Sequence, residues 1–380
     1  MRIATVRTHV LRHRLERQFQ SAFSTFTDRW ACLVEIECDD GTVGWGECLG
    51  PSAANAAVVE AMAPLILGRD PLEIEPIWLE LYSQFRDQGQ RGLAVTAISG
   101  IDIALWDIAG KHFGVPVHVL LGGAFRKAIP AYATGGFRPV GRDRRAALEE
   151  ETAGYIAEGF KAVKIKIGFG LEEDVEVIAA VRAAIGPKAR LMIDANHGYD
   201  ALEAIALGNR VADLGIDWFE EPVTPELLDA YGEVRAGQPL PVAAGETWHG
   251  RWAFAEAIAK RAVDILQPDV CGCGGFTEMK KIIAMAETAG IRLVPHVWGT
   301  AVVLAASLHV HAILPPSPPR HERYQPQFEF DRTLNPYRQA IVTQPIEHRD
   351  GIVAVPEGPG LGIEIDRAAL EKYSVEKYRA

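Results

Sequence analysis

The amino-acid sequence predicts an α/β protein in which a parallel barrel of repeated strand–helix units follows a smaller α+β region. Three observations lead to this class. From about residue 128, short apolar strands alternate with amphipathic helices, which is the pattern of a parallel sheet. Titratable residues end successive strands about 26 residues apart, the length of one strand, one helix and two short loops. The first third of the 380 residues follows a different pattern, and this length suits two domains.

Residues 1–125 have the pattern of an α+β domain. Residues 31–37 alternate as a strand does, and Asp39-Asp40-Gly41 leads into a second strand at 43–47, which predicts a β-hairpin. Pro71 suits the first turn of a helix. Helical patterns cover 53–66, 71–87 and 93–113.

The barrel pattern extends over residues 126–337. Eight units of about 26 residues fit between residues 128 and 335, which suggests a barrel of the (β/α)8 kind. The apolar run 301–314 is too short to span a membrane and predicts a buried helix. Strands are predicted at 162–167, 190–194 and 216–220, and helices at 171–185, 200–213 and 225–236.

The last segment, residues 338–380, returns to a β-like pattern with a turn at Asp350-Gly351. A proline-rich stretch at 315–327 precedes it and predicts a long loop. The chain therefore divides into an α+β domain, a barrel and a β-like C-terminal segment.

Polar residues end the predicted barrel strands in a regular order. Lys164 and Lys166 lie on one face of their strand because side chains alternate with a period of two. In a parallel barrel the carboxyl ends of the strands meet at one face, and active sites are assembled there. The following strands end in Asp194, Glu220, Glu246, Asp269 and His296.

Three of these residues predict a metal site. Asp194, Glu220 and Glu246 would converge from adjacent strands, and three like charges in a partly buried site require a counter-ion. Ligands that are all oxygen favour Mg²⁺ before Mn²⁺ or Ca²⁺. Zinc is disfavoured because the trio contains neither histidine nor cysteine.

Acid–base candidates flank the predicted metal. Lys164 and Lys166 stand on one side, where two neighbouring ammonium groups near a metal are expected to lower the pKa of one lysine. His296 stands on the other side with Asp269, whose carboxylate would fix its tautomer. This arrangement suits removal of a proton next to a carboxylate. Each residue alone is more often structural, but their shared order and period favour a site.

Composition and missing motifs exclude several classes of function. The net charge of −11 disfavours nucleic acid as a partner. The N-terminus does not resemble a secretory signal, and no uncharged apolar stretch of about 18 residues predicts a membrane span, so a cytoplasmic protein is expected. Five cysteines without a CxxC pair predict buried thiols. Dinucleotide-binding, nucleophile-elbow and P-loop motifs are missing.

The polar residues, with their neighbours, resemble the enolase superfamily, mandelate racemase subgroup, over almost the whole chain. The resemblance implies a TIM barrel of the (β/α)7β type, with an N-terminal α+β capping domain that the C-terminal segment completes. The matching motifs are Lys164-x-Lys166, Asp194-Ala195-Asn196, Glu220-Glu221-Pro222, Gly245-Glu246, Gln267-Pro268-Asp269 and Pro295-His296.

A closer resemblance is to the D-galactarolactone cycloisomerase family. It implies that a sugar diacid 1,4-lactone is opened by β-elimination to a keto-deoxy-hexarate, with one Mg²⁺ per subunit. It also implies a homo-oligomer, such as an octamer. The chain departs from the family in the loop 315–327 and in part of residues 19–28, where Phe23, Ser24, Thr25 and Phe26 are candidates to close over a polyol. The matched strings are RDQGQRG, DANHGY, WFEEPV, GETWHGR, ILQPDVCGCGGF, PHVWGT and FEFDRT.

Site roles follow from this resemblance by matching position. Lys166 and His296 would be the acid–base pair, and Asp269 would support His296. Lys164 would contact the substrate carboxylate. The other roles are metal binding by Asp194, Glu220 and Glu246, and substrate binding by Lys164, Asn196, His197, Trp298 and Glu329.

Three alternatives stay open. An acyclic sugar-acid dehydratase on the same frame would expel water, so the product would be lighter than the substrate, whereas cycloisomerisation leaves the mass unchanged. A racemase or epimerase would exchange the α-proton without elimination. From another class, a catalytically silent barrel would act as a binding or structural protein, although the complete set of site residues argues against it.

Overall fold

The structure is a computed structural model that describes residues 1–316 and 325–375. Part of the proline-rich loop predicted at 315–327 therefore lies outside the described residues. The strands are β1 Ile3–Gln20, β2 Thr25–Cys38, β3 Val43–Cys48, β4 Ala128–Thr134, β5 Arg138–Pro139, β6 Ala162–Lys166, β7 Arg190–Asp194, β8 Ile216–Glu220, β9 Val242–Ala244, β10 Ile265–Leu266, β11 Arg292–Leu293, β12 Phe328–Asp331, β13 His348–Arg349 and β14 Ile352–Ala354. The α-helices are α1 Ser52–Ile66, α2 Ile74–Gly89, α3 Leu93–Phe113, α4 Val117–Leu120, α5 Arg144–Ala157, α6 Leu171–Ile185, α7 Ala201–Arg210, α8 Leu228–Gly237, α9 Gly250–Ala259, α10 Gly275–Ala289, α11 Ala301–Ile313 and α12 Arg367–Tyr373.

The N-terminal region forms an antiparallel sheet in the order β3-β2-β1-β5, covered by helices. Strands β1 and β2 form a long hairpin, and β5, which follows the first barrel strand, pairs with β1 at Phe19 and Gln20. This pairing brings the hairpin tip to the barrel. The predicted strand at 31–37 is the buried part of β2, but β1 was not predicted because exposed arginines and half-buried histidines interrupt its apolar pattern.

Helix α3 is the central helix of the capping domain. It passes so close to β3 that a Cβ atom on Gly44 or Gly46 would overlap the carbonyl oxygens of Ala104 and Gly100. Its length and apolar composition would suffice for a membrane span, but 89% of that stretch is buried inside the protein. We therefore interpret α3 as a core helix.

Eight parallel strands form the barrel, namely β4, β6–β11 and β12. Strand β4 pairs with β6 on one side and with β12 on the other, both in parallel register, so β12 continues the parallel order β11-β10-β9-β8-β7-β6-β4. A helix follows each of the first seven strands, whereas a short 3₁₀ turn follows β12. The expected (β/α)7β barrel is therefore confirmed, and the first estimate of eight strand–helix units counted one helix too many.

The lumen of the barrel is filled by a layer of apolar side chains. It consists of Tyr132, Ala162, Met192, Trp218, Ala243, Ile265 and Val294, which come from successive strands or their ends. Side chains alternate along a strand, so the next inward-facing positions lie two residues further on. On β6, β7 and β8 these positions are Lys164, Asp194 and Glu220. The apolar layer thus forms the floor on which the polar site stands.

The C-terminal segment contacts both parts of the protein. The hairpin β13–β14, which turns at Asp350-Gly351 as predicted, pairs with barrel strand β4 rather than with the N-terminal sheet. Further along, Arg367 pairs with Glu35 of β2. Ser374 forms an isolated bridge to Leu11 of β1.

Local chemistry explains one difference from the predicted helices. Helix α2 begins at Ile74 rather than at Pro71, because the Asp70 carboxylate accepts a hydrogen bond from the backbone N–H of Leu72 and holds a turn there.

The buried helix predicted at 301–314 is α11, and it includes the buried His309 and His311. All five cysteines are free and buried, as predicted.

Two buried histidines predict how stability depends on pH. His309 Nε2 contacts the carbonyl oxygen of Leu361, and its Nδ1 lies 3.0 Å from Nδ1 of His118. Protonation of both nitrogens of His309 would therefore place a second N–H group against the ring nitrogen of His118. Burial lowers the pKa of His309 to about 3 and that of His311 to about 4. Both rings are therefore neutral in the folded state and charged below about pH 6.5 in the unfolded state.

We expect the free energy of unfolding to be fully maintained above about pH 6.5 and to fall as the pH decreases, by about 1.4 kcal/mol per pH unit for each such histidine. Urea unfolding at pH 7.5 and pH 5.5 measures the fall. His309→Gln should reduce it, whereas His112→Gln, at an exposed position, should not. An unchanged fall in His309→Gln would contradict the assignment.

Candidate active site

Three carboxylates converge at the carboxyl end of the barrel. Asp194 and Glu220 end β7 and β8, and Glu246 lies two residues after β9. One oxygen of each lies within 4.8 Å of the others. Asp194 and Glu220 are fully buried, while Glu246 is partly accessible. The structure thus brings together the residues predicted to bind metal.

The surroundings of the three carboxylates fit a cation. Asp194 Oδ1 accepts the backbone N–H of Asn196 at 2.9 Å. One oxygen of Glu220 accepts from Trp218 Nε1 at 2.9 Å and from Gln267 Nε2 at 2.7 Å. Glu246 Oε2 is buried without a hydrogen-bond partner. A buried carboxylate oxygen that lacks a donor is the feature that a metal ion satisfies, and a donor set of three carboxylates suits a hard cation such as Mg²⁺.

The two lysines lie on one flank of the carboxylates. Lys164 Nζ is 2.8 Å from Glu329 and also contacts Glu220, and Lys166 Nζ contacts Asp194. Burial acts to lower the pKa of each lysine, but the neighbouring carboxylates outweigh it and raise the pKa of both. Without a metal ion each ammonium group is thus paired with a carboxylate, and the lowered pKa expected for one lysine beside a bound metal stays a prediction.

His296 and Asp269 form a pair on the other flank. His296 Nδ1 lies 2.7 Å from Asp269 Oδ2, and His296 Nε2 lies 3.4 Å from Glu246. Burial opposes protonation of His296, but Glu246, Glu329 and Asp269 together raise its pKa to about 10. Burial raises the pKa of Asp269, and His296 opposes this. The pairing leaves Nε2 as the nitrogen that faces the carboxylates.

Glu329 joins the two flanks. It lies on β12, where one oxygen contacts Lys164 and the other accepts the backbone N–H of Val297 at 3.0 Å. Burial favours its neutral form, but the positive charges of Lys164 and His296 dominate and lower its pKa to about 2. Glu329 is therefore a carboxylate whose position is fixed by both flanks.

A cavity of about 470 Å³ opens above these groups. Six of the candidate metal-binding, acid–base and substrate-binding residues line it, namely Lys166, Asn196, Glu246, His296, Trp298 and Glu329. Lys164, Asp194 and Asp269 do not line it but contact the lining residues Glu329, Lys166 and His296, respectively. Glu220 does not line it either and contacts Lys164. The cavity can therefore hold a small molecule directly against the candidate acid–base groups.

Asn196 and His197 stand apart from the other predicted substrate-binding residues. Both have positive φ angles, 40° and 65°, in the tight turn after β7. Asn196 Nδ2 lies 3.3 Å from both Asp194 and Glu221. His197 does not line the cavity, and its Nε2 lies 3.3 Å from Glu221. The structure thus places His197 behind the lining residues.

The capping domain supplies a wall of the cavity that sequence reasoning largely missed. Phe23 and Phe26 line it as expected for the hairpin tip, whereas Ser24 and Thr25 do not. No motif links this wall to the barrel, so only the folded contacts reveal it. The other capping-domain residues of the wall are Ser21, Leu49, Gly50, Pro51, Gly92, Leu93 and Thr96, and the barrel adds Phe137, Thr247 and His249.

Both domains match known family models. Residues 3–122 match the model described as the N-terminal domain of mandelate racemase / muconate lactonizing enzyme. Residues 147–369 match the model described as enolase C-terminal domain-like. Between them the two matches span most of the chain.

Curated relatives of known activity align over nearly the full length. A D-galactarolactone cycloisomerase from Agrobacterium fabrum (strain C58) is 60% identical over 373 residues, which cover 98% of this chain and 99% of that protein. An arabinonate dehydratase from Saccharolobus solfataricus is 39% identical over 344 residues, which cover 90% of this chain and 89% of that protein. The lactone cycloisomerase is thus the more similar of the two.

Solved structures share the whole architecture. The 3,6-anhydro-D-galactonate cycloisomerase from Zobellia galactanivorans has a TM-score of 0.90 and 40% identity, with 99% of this chain and 100% of that chain covered. A racemase from Streptomyces coelicolor A3(2), solved with bound magnesium, has a TM-score of 0.86 and 28% identity, with 98% of this chain and 100% of that chain covered.

Proposed function

We propose, on the premise that this chain belongs to the mandelate racemase / muconate lactonizing enzyme family of the enolase superfamily, that it is a lactone cycloisomerase. Its substrate would be D-galactaro-1,4-lactone, with D-glucaro-1,4-lactone as a further candidate. The product would be a keto-deoxy-hexarate. The relative that is 60% identical over nearly the whole chain supports this choice.

One arrangement carries the chemical part of the proposal. Three converging carboxylates lie between Lys166 on one flank and the His296–Asp269 pair on the other. A substrate bound with its carboxylate beside the metal site would have its α-carbon between Lys166 on one side and His296 on the other. That geometry suits α-proton removal followed by loss of a β-substituent.

Asp194, Glu220 and Glu246 would hold one Mg²⁺ per subunit. The Glu246 oxygen that accepts no hydrogen bond from the described residues and the all-carboxylate donor set support this ligand set. When bound, the ion would supply a positive charge that binds the substrate carboxylate. The same charge would stabilise the negative charge that develops on the substrate when the α-proton is removed. Lys164 would add a second positive charge, with Glu329 fixing the position of its ammonium group.

The proton and electron movements balance within the substrate. Lys166 Nζ or His296 Nε2, in its unprotonated form, takes the proton from the carbon α to the free carboxylate. The electron pair of that C–H bond forms a C=C bond as the bond from the β-carbon to the ring oxygen breaks. The ring oxygen leaves as part of the second carboxylate. The resulting enol ketonises as a proton reaches the β-carbon and the enol hydroxyl group releases its proton. No atom is lost, so the ring opens without change of mass.

Proton NMR in D₂O tests the proposal. Enzyme with Mg²⁺ is mixed with D-galactaro-1,4-lactone and, in parallel, with acyclic galactarate. We expect a keto-deoxy product with one deuterium at the new methylene group from the lactone and no product from the acyclic acid. Product from galactarate alone would contradict the proposal and establish the dehydratase alternative, while exchange of the α-proton without elimination would establish a racemase or epimerase.

The remaining features of the proposal follow from family resemblance. The partner would be a small-molecule sugar diacid lactone, with neither nucleic acid nor membrane as a partner. The protein would act in the cytoplasm as a homo-oligomer, such as an octamer. Size measurement in solution checks the assembly.

A further inference from the structure

A buried carboxylate of the capping domain lies at the N-terminus of a barrel helix. Glu47, on β3, is 3% exposed. Its carboxylate accepts the backbone N–H of Thr300 at 3.0 Å, the Thr300 hydroxyl at 2.7 Å and the backbone N–H of Val303 at 3.0 Å. These donors belong to the N-cap and first turn of α11. A negative charge at this end of a helix satisfies unpaired N–H groups and interacts favourably with the helix dipole.

The helix capped by Glu47 is the one that follows His296. Only three residues, Val297 to Gly299, separate His296 from Thr300. This short link is fixed along its length, because Val297 N–H donates to Glu329 and the Gly299 carbonyl accepts from Asn335 at 2.8 Å. A Cβ atom on Gly299 would overlap the Glu47 carboxylate, so the close approach requires glycine there. Displacement of Thr300 would therefore be transmitted directly to His296.

A second capping-domain carboxylate occupies the corresponding place beside Asp269. Asp102, on α3, is 2% exposed and accepts the backbone N–H of Thr277 at 3.1 Å in the first turn of α10. Ser99, one turn earlier on α3, accepts the backbone N–H of Gly274 at 2.9 Å. Helix α10 follows Asp269 just as α11 follows His296. The capping domain thus caps the helix that follows Asp269 and the helix that follows His296.

The two caps are linked through the loop after Asp269. The backbone N–H of Leu49, which lies just after β3, donates to the carbonyl oxygen of Cys271 at 3.0 Å. Asp269 Oδ1 accepts the backbone N–H of the same Cys271 at 2.7 Å. Burial raises the pKa of Glu47 to about 7, and the Asp269 carboxylate contributes to the rise, as expected for two carboxylates near each other.

We propose that Glu47, with Asp102 in a supporting role, is a positioning residue for the Asp269–His296 pair. Glu47 acts through α11 and the link from Thr300 to His296, and Asp102 acts through α10. Docking of the capping domain therefore closes the cavity and also sets the geometry of the Asp269–His296 pair. This inference rests on the proposed function for its kinetic consequence, whereas its structural consequence can be measured without turnover.

The kinetic test compares Glu47→Ala and Glu47→Gln with the parent enzyme. A displacement of about 1 Å at a catalytic group costs up to roughly 100-fold in rate, so we expect kcat to fall about 10- to 100-fold in Glu47→Ala. Glu47→Gln keeps one acceptor oxygen and should lose less. KM, and the Mg²⁺ affinity measured by calorimetry, should each change by less than about twofold. The proposed metal ligands lie on β7, on β8 and after β9, and not on the helices that Glu47 and Asp102 cap.

Asp107→Asn is the matched control. Asp107 is a buried carboxylate of α3 that accepts the backbone N–H groups of Trp45 and Leu361, neither of which belongs to the first turn of α10 or α11. Its loss should lower the unfolding temperature while kcat stays within about twofold of the parent value. Wild-type kcat in Glu47→Ala, or an equal kcat loss in Asp107→Asn, would overturn the inference.

A spectroscopic measurement keeps the inference independent of turnover. The proton between His296 Nδ1 and Asp269 should give a resonance far downfield of the amide region, identified by its loss in His296→Gln. We expect this resonance to shift or broaden in Glu47→Ala and to be retained in Asp107→Asn. An unchanged resonance in Glu47→Ala overturns the positioning role, whereas an enzyme that shows the expected changes but does not open the lactone overturns only the proposed function.

Discussion

Replacement of either candidate acid–base residue, Lys166→Ala or His296→Ala, is expected to lower kcat for lactone opening by about 10²- to 10⁴-fold. Lys166 contacts Asp194 and His296 Nε2 faces Glu246, so each loss removes a proton-transfer group from one flank of the carboxylates. Lactone opening followed by proton NMR in D₂O measures the effect.

The same spectra distinguish the roles of the two residues. The variant that lacks the first base should neither open the lactone nor exchange its α-proton. Lys161→Ala, at the exposed position just before β6, and His112→Gln should retain wild-type rates. A fully active Lys166→Ala, His296→Ala double variant would refute the proposed mechanism.

Glu246→Gln is expected to weaken Mg²⁺ binding by more than about 100-fold and to abolish lactone opening. A metal ligand should cost at least as much as the outer groups that orient ligands, whose loss typically weakens binding by 10- to 100-fold. In the metal-free protein the same change removes one of three converging negative charges and replaces a buried carboxylate oxygen that accepts no hydrogen bond from the described residues with a neutral amide group. The unfolding temperature without Mg²⁺ should therefore be unchanged or higher.

Calorimetry with Mg²⁺ and thermal unfolding with and without the ion check both parts. Asp217→Asn is the control, since Asp217 lies on the same strand as Glu220 but pairs with Arg190, away from the three carboxylates. It should bind Mg²⁺ as the parent does. Wild-type Mg²⁺ affinity in Glu246→Gln would show that Glu246 is not a ligand.

The sequence was most informative where local pattern and barrel geometry agree. The predicted strand at 190–194 and helix at 171–185 match β7 and α6 residue for residue. The period of two along each strand and the regular strand–helix interval sufficed to bring Asp194, Glu220 and Glu246 together. Both signals are local or periodic, so a single sequence contains them.

Features that depend on distant parts of the chain were predicted less well. Strand β1 has an exposed side rich in arginine and histidine, so its pairing with β2 decides its structure more than its own residues do. The start of α2 was placed at Pro71 because a proline suits a first helical turn, but the Asp70 carboxylate holds a turn there.

The sequence by itself therefore determined the barrel, the converging carboxylates and the identity of the acid–base candidates, because strand period and repeat length fix which side chains share one face. The tertiary structure alone decided which of those groups lie in contact. Without a metal ion the pKa of Lys166 is raised, because the Asp194 carboxylate on the neighbouring strand outweighs burial. Glu47 caps the helix after His296 from 253 residues away, and a contact at such a separation exists only once the two domains have packed together.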